Sequence, residues 1–104
     1  MLLLRLSLFF FFFSNINLLF SIDYKLKNIR FSDNHQSKSL RIVLDLTHKA
    51  PYTVFTLNNQ PRLVIDLESK SEIKKFKNES TYIKNIRTRK TDQNVMRIVF
   101  DLKS

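Results

Sequence analysis

Three aspartates, Asp45, Asp66 and Asp101, could supply carboxylates for acid–base or metal chemistry, and two histidines, His35 and His48, could supply imidazoles. The spacing points elsewhere. Each of these aspartates closes the same frame, R-x-x-x-D-L, written RIVLDL at 41–46, RLVIDL at 62–67 and RIVFDL at 97–102. On an extended chain residues two and four apart share a face. An arginine and an aspartate four apart are then charged ends of one strand face, suited to cross-strand ion pairs. Arg41, Asp45, Arg62, Asp66, Arg97 and Asp101 therefore read as structural strand charges. Neither histidine has a second ligand at metal spacing, and no H-E-x-x-H is written. Cysteine and glycine are both absent, which removes thiolate chemistry, disulfides and any glycine-rich phosphate loop. No G-x-S-x-G occurs. The chain reads as a non-enzyme that needs no cofactor or metal.

Binding chemistry is better represented. Tyr82, Lys84, Arg87, Arg89 and Lys90 form the densest basic cluster, and Lys74, Lys75 and Lys77 form a second. Cations beside an aromatic ring suit carboxylate-bearing or glycan ligands, through charge-assisted hydrogen bonds and stacking. The competing role is a solvated charged edge that keeps strands from pairing between molecules. The net charge of +9 favours an acidic partner. A composition rich in Lys, Asn, Ile and Phe explains part of that charge without any partner. Asn78-Glu79-Ser80 matches a glycosylation sequon, a three-residue pattern common by chance.

These side chains must be positioned by strands. Runs rich in β-branched, leucine or aromatic residues lie at 26–31, 40–46, 52–57, 62–67, 82–87 and 95–102, bounded by Asn, Asp, Ser, Thr or Pro. Alternation sets Ile42, Leu44 and Leu46 on one face, as it does Leu63, Ile65 and Leu67, and Ile98, Phe100 and Leu102. The links 47–51 and 58–61 have hairpin lengths, with Pro51 and Pro61 at strand entrances. Without glycine, Asn34, Asn58, Asn59 and Asn94 are the candidates for positive φ. Residues 68–81 are polar and fit a helical turn carrying Ile73 and Phe76, or a loop. K-N-I-R at 27–30 and again at 84–87 each precedes an R-I-V-x-D-L run, so one unit is written twice. The expected fold is all-β, a small pseudo-symmetric sandwich of two short antiparallel sheets, with Arg facing Asp wherever two R-x-x-x-D strands pair.

Residues 1–21 differ from the rest. One early cation, Arg5, precedes an apolar run from Leu6 to Phe13, the layout of a secretory signal peptide. Cleavage is expected after Ser21, leaving a domain at 25–104. The alternative is an uncleaved membrane anchor, although Ser14, Asn15 and Asn17 interrupt the run. Both readings place the domain outside the cytoplasm, in the periplasm, and argue against nucleic acid as partner. The membrane is reached only through residues 1–21, if they are retained.

The blocks YTVFTL at 52–57, NQPRLVIDL at 59–67 and IKNIR…MRIVFDL at 83–102, with RIVLDL before them, resemble the AMIN domain over about 26–103. The resemblance implies a β-sandwich of two similar sheets, found at the N-termini of periplasmic N-acetylmuramoyl-L-alanine amidases and of some secretins. It implies a non-catalytic module that binds peptidoglycan and directs a hydrolase to the division septum. The partner implied is peptidoglycan, with envelope or division proteins as further candidates. The alternative is a docking domain of an envelope or secretin assembly. No zinc hydrolase region is written in these residues, so the chain reads as a module acting alone or as the N-terminal part of a split amidase. Family members often carry glycine where Ser32 and Arg89 stand, which leaves a glycine-dependent bulge without its usual residue.

Overall fold

Apolar side chains at every second position make a strand that is greasy on one face, and such strands are stable only when those faces meet. The computed structural model describes residues 3–10 by backbone alone and residues 24–57, 59–70, 74–92 and 94–103 with their side chains. Its strands are β1 (Leu3–Phe10), β2 (Leu26–Asn34), β3 (Ser39–Leu46), β4 (Tyr52–Leu57), β5 (Arg62–Glu68), β6 (Ile83–Asp92) and β7 (Val95–Leu102). No helix occurs among the described residues.

The larger sheet runs β4-β5-β7-β6, antiparallel throughout. The smaller runs β1-β3-β2, with β2 and β3 an antiparallel hairpin and β1 parallel to β3. One core joins them. Leu26, Ile29, Leu40, Ile42, Leu44 and Leu46 meet Leu63, Ile65, Leu67, Ile83, Met96, Ile98 and Phe100, all almost wholly buried. Phe31 of β2 stands edge-on to Phe100 of β7, ring centres 6.2 Å apart. The molecule is thus the expected small all-β sandwich.

Polar latches hold the sheets together at both ends. At one, the Asp33 carboxylate accepts from the Ser80 hydroxyl at 2.6 Å, the Thr81 amide at 2.8 Å and the Thr81 hydroxyl at 3.0 Å. At the other, the Tyr24 carbonyl accepts from the Ser69 hydroxyl at 3.0 Å and the Lys70 amide at 3.1 Å.

The duplication is visible in backbone detail. Each KNIR strand slips by one residue against its partner, at Lys27 between Leu26 and Asn28 and at Lys84 between Ile83 and Asn85. These bulges form without glycine. Each KNIR arginine then reaches the aspartate of the following strand through two hydrogen bonds, Arg30 to Asp45 at 2.8 and 2.9 Å and Arg87 to Asp101 at 3.0 Å twice.

Several expectations are corrected. The 47–51 link is no hairpin, because it carries the chain from β3 in one sheet to β4 in the other. Its Ala50 is buried in the core, and the Pro51 carbonyl accepts from the Glu68 amide at 3.0 Å. Lys38 has positive φ, at 51°, and Asn34 does not; Asn58 lies outside the described residues. Asn34 serves that turn with its side chain instead, Oδ1 accepting from the amides of Gln36 and Ser37 at 3.1 Å. Residues 74–80 form neither helix nor strand, as the loop reading expects, with Phe76 packed on the core; Ile73 lies outside the described residues. The Asn78 sequon is structurally engaged, its amide donating to the Ile83 carbonyl at 2.8 Å. The small sheet also gains the parallel β1, which falls inside the segment read as a signal peptide. The proposed cleavage point after Ser21 lies outside the described residues. No helix of the described residues is long and apolar enough to cross a membrane.

Candidate functional site

Inward alternation in the larger sheet leaves a second face, turned away from the core. Register assembles it in three rows. Thr53, Asp66, Arg97 and Arg89 form the first; Phe55, Val64, Val99 and Arg87 the second; Leu57, Arg62, Asp101 and Asn85 the third. Four arginines and two aspartates therefore share one surface, with an apolar strip through its middle. A shallow hollow of about 270 Å³ lies over it.

The charges are tied into an antiparallel ladder. Arg97 donates to Asp66 through Nε at 2.8 Å and Nη2 at 2.9 Å, and Arg62 donates to Asp101 through Nε at 2.8 Å. Arg87 approaches Asp101 from the opposite side. The hydrogen bond from Arg97 holds the Asp66 carboxyl below its ordinary range against the opposing effect of burial, with the charges of Arg97 and Arg89 assisting. At Asp101 burial works against the charge, yet the hydrogen bonds from Arg87 and Arg62 outweigh it and keep this carboxyl low as well. Both aspartates thus stay ionised and hold the guanidinium groups in place. A guanidinium carries five N–H donors, so one or two bonds to a carboxylate leave others aimed outward. The Arg89 side chain forms no hydrogen bond among the described residues. Such fixed planar forks match carboxylate or phosphate geometry better than mobile lysines do.

The apolar part completes the surface. Phe55 and Leu57 of edge strand β4 are 40% and 44% exposed, and the Arg97 guanidinium lies 5.7 Å from the Phe55 ring centre. Tyr52 and Val54 are uncovered on the other side of the same strand.

The structure divides the basic cluster read from sequence. Arg87 and Arg89 stand on the arginine face, and Lys84 lies at its end in a hollow shared with Arg62. Lys90 sits level with inward-facing Met96 and donates to the Lys70 carbonyl at 3.4 Å. Tyr82 packs beside the core, and its hydroxyl shares a 3.2 Å hydrogen bond with His35 Nδ1. Among the second group, Lys74 donates to the Lys27 carbonyl at 3.3 Å. Arg62 and Arg97, read as strand charges, belong to the same surface as Arg87 and Arg89, and Phe55 and Leu57 were not foreseen there. Neighbouring strands bring these residues together, and local spacing carries no such signal. Arg41 and Asp45 lie on the other sheet. Among the described residues no group of three His, Asp or Glu side chains is placed to hold a metal ion.

The described residues thus form an all-β sandwich whose larger sheet presents a preorganised cationic face. The family model of the AMIN domain matches residues 28–104, and the chain belongs to that family. AMIN domains are non-catalytic, occur in periplasmic proteins and are associated with peptidoglycan binding in amidases and secretins. Comparisons with curated proteins and with solved structures find no significant match.

Proposed function

We propose that this chain is a periplasmic, non-catalytic module that binds peptidoglycan and targets the cell envelope, including the division septum. In this reading residues 1–21 direct export, and the arginine face of the larger sheet is the contact surface. The observation that carries it is the grouping of Arg62, Arg87, Arg89 and Arg97 beside exposed Phe55 and Leu57. Stem-peptide carboxylates supply the anions those guanidinium groups match, and sugar rings supply the weakly polar surface an aromatic side chain covers. The domain is expected to co-sediment with purified sacculi at low ionic strength and to be released by salt. Arg89→Ala, which breaks no hydrogen bond among the described residues, should weaken binding several-fold. Absence of pelleting above background at low salt would overturn the proposal. A clearing zone on a peptidoglycan zymogram would overturn its non-catalytic part.

A second reading is a docking domain for another envelope protein. It is favoured by β4, whose Tyr52, Val54, Phe55 and Leu57 leave apolar surface open on both sides of one edge strand. Recovery from membranes in a stoichiometric complex, with no affinity for sacculi, would select this reading.

A further inference from the structure

The R-x-V-x-D frame occurs three times, as Arg41-Val43-Asp45, Arg62-Val64-Asp66 and Arg97-Val99-Asp101. Two of these frames show what the pattern does when paired. In β5 and β7, running antiparallel, Val64 faces Val99, Arg62 faces Asp101 and Asp66 faces Arg97, with both ion pairs closed at 2.8 Å. On its other side β7 receives Arg87 from the KNIR strand, so Asp101 is held by two arginines.

The third frame, in β3, has half of this arrangement. Arg30 of its KNIR strand holds Asp45 as Arg87 holds Asp101. The side that β5 occupies next to β7 is occupied next to β3 by β1, which runs parallel. That register sets Arg5 level with Arg41 and Phe9 level with Asp45, and the sequence of β1 contains no aspartate or glutamate. The Arg41 side chain makes no hydrogen bond or ion pair among the described residues. Every other strand pair described is antiparallel, the slightly stronger arrangement.

We propose that β3 is a homodimerisation strand: with β1 withdrawn from its edge, β3 pairs antiparallel with β3 of a second copy of this chain. The frame is its own complement. Centred on Val43, antiparallel pairing sets Val43 against Val43 of the second copy and Arg41 against Asp45 of that copy, twice about a two-fold axis. Each Asp45 then lies between two arginines, as Asp101 already does. The small sheets fuse into one of order β2-β3-β3-β2, and the exposed backbone of an eight-residue edge is satisfied. Removal of residues 1–21 on export is the event that opens the edge. This inference is independent of what the arginine face binds.

The test uses the full-length chain, produced with its own N-terminal segment in a Gram-negative host and recovered from the envelope. Mass spectrometry reads its N-terminus and light scattering its assembly. The expected result is a dimer lacking residues 1–21. Arg41→Asp alone and Asp45→Arg alone place like charges opposite each other at both ends of the strand pair, raising the dissociation constant roughly tenfold. Mixed in equal amounts, the two variants restore both Arg–Asp contacts between copies and form a heterodimer, although the Asp45→Arg copy still lacks its own Arg30 pair. This rescue separates loss of pairing from loss of fold. A monomer at the highest attainable concentration, whatever its N-terminus, overturns the proposal, and so does an Arg41→Asp dimer as tight as the wild type.

Discussion

Asp33 closes one end of the sandwich with a single carboxylate. It accepts three hydrogen bonds from Ser80 and Thr81 across the gap between sheets. Burial raises its pKa, but those hydrogen bonds outweigh burial, so the carboxyl titrates below its ordinary value. Asp33→Ala should cost about 2 kcal/mol, the range for hydrogen bonds to a charged group, measurable as a fall in the urea midpoint. Asp66 and Asp101 are lowered in the same direction. A carboxyl with a depressed folded-state pKa stabilises the fold fully above its unfolded value, and that contribution is lost as pH falls through the folded value. The urea midpoint should therefore be level from about pH 5 upward and drop below about pH 4, where unfolded aspartates take up protons first. Asp33→Ala should flatten part of that drop.

At the scale of elements, the strands were legible because R-x-x-x-D runs alternate so regularly. Ile65, Ile98 and Phe100 face inward as period two requires, and the Arg–Asp pairing of β5 with β7 follows from the same rule. What a strand pairs with is not written locally. The Arg30–Asp45 and Arg87–Asp101 contacts join neighbouring strands, and the KNIR arginine of the second copy reads from sequence as a ligand-binding or solvated edge cation, not as a partner of Asp101. The 47–51 link has the length of a hairpin loop but the role of a crossover, and length cannot distinguish the two. The arginine face was legible in fragments only, because its residues come from four strands. Turn chemistry misled for a different reason. Asparagine tolerates positive φ, but Asn34 contributes more as an acceptor, and the strained position falls to Lys38. Replacing Lys38 by glycine should relieve that strain and stabilise the fold by about 0.5 kcal/mol, after the extra entropy glycine gives the unfolded chain. Thermal melts should place Lys38→Gly above the wild type and Lys38→Ala level with it if φ governs the effect.

For the whole molecule, stability rests on one shared core. Phe100 is completely buried and meets Phe31 edge-on between the sheets. Phe100→Ala should cost about 3–5 kcal/mol. That is a large part of the 5–15 kcal/mol typical of a small domain. The variant is expected to be largely unfolded at 37 °C by circular dichroism, whereas Asp33→Ala stays folded. The difference follows from location: Phe100 belongs to both sheets at their centre, and Asp33 clamps them at one end.

The three near-identical R-x-x-x-D strands also set a problem of assortment while the chain folds. A strand that recognises its neighbour by Arg against Asp and Val against Val accepts any of the three, from its own molecule or from the next. Correct sorting falls to features outside the frame: the short β4–β5 turn that delivers β5, and the KNIR strands that claim β3 and β7 through Arg30 and Arg87. Refolding is thereby a competition between partners close in sequence and partners supplied by concentration. Yield should fall as protein concentration rises, and Arg30→Ala, which weakens one of those claims, should steepen the fall.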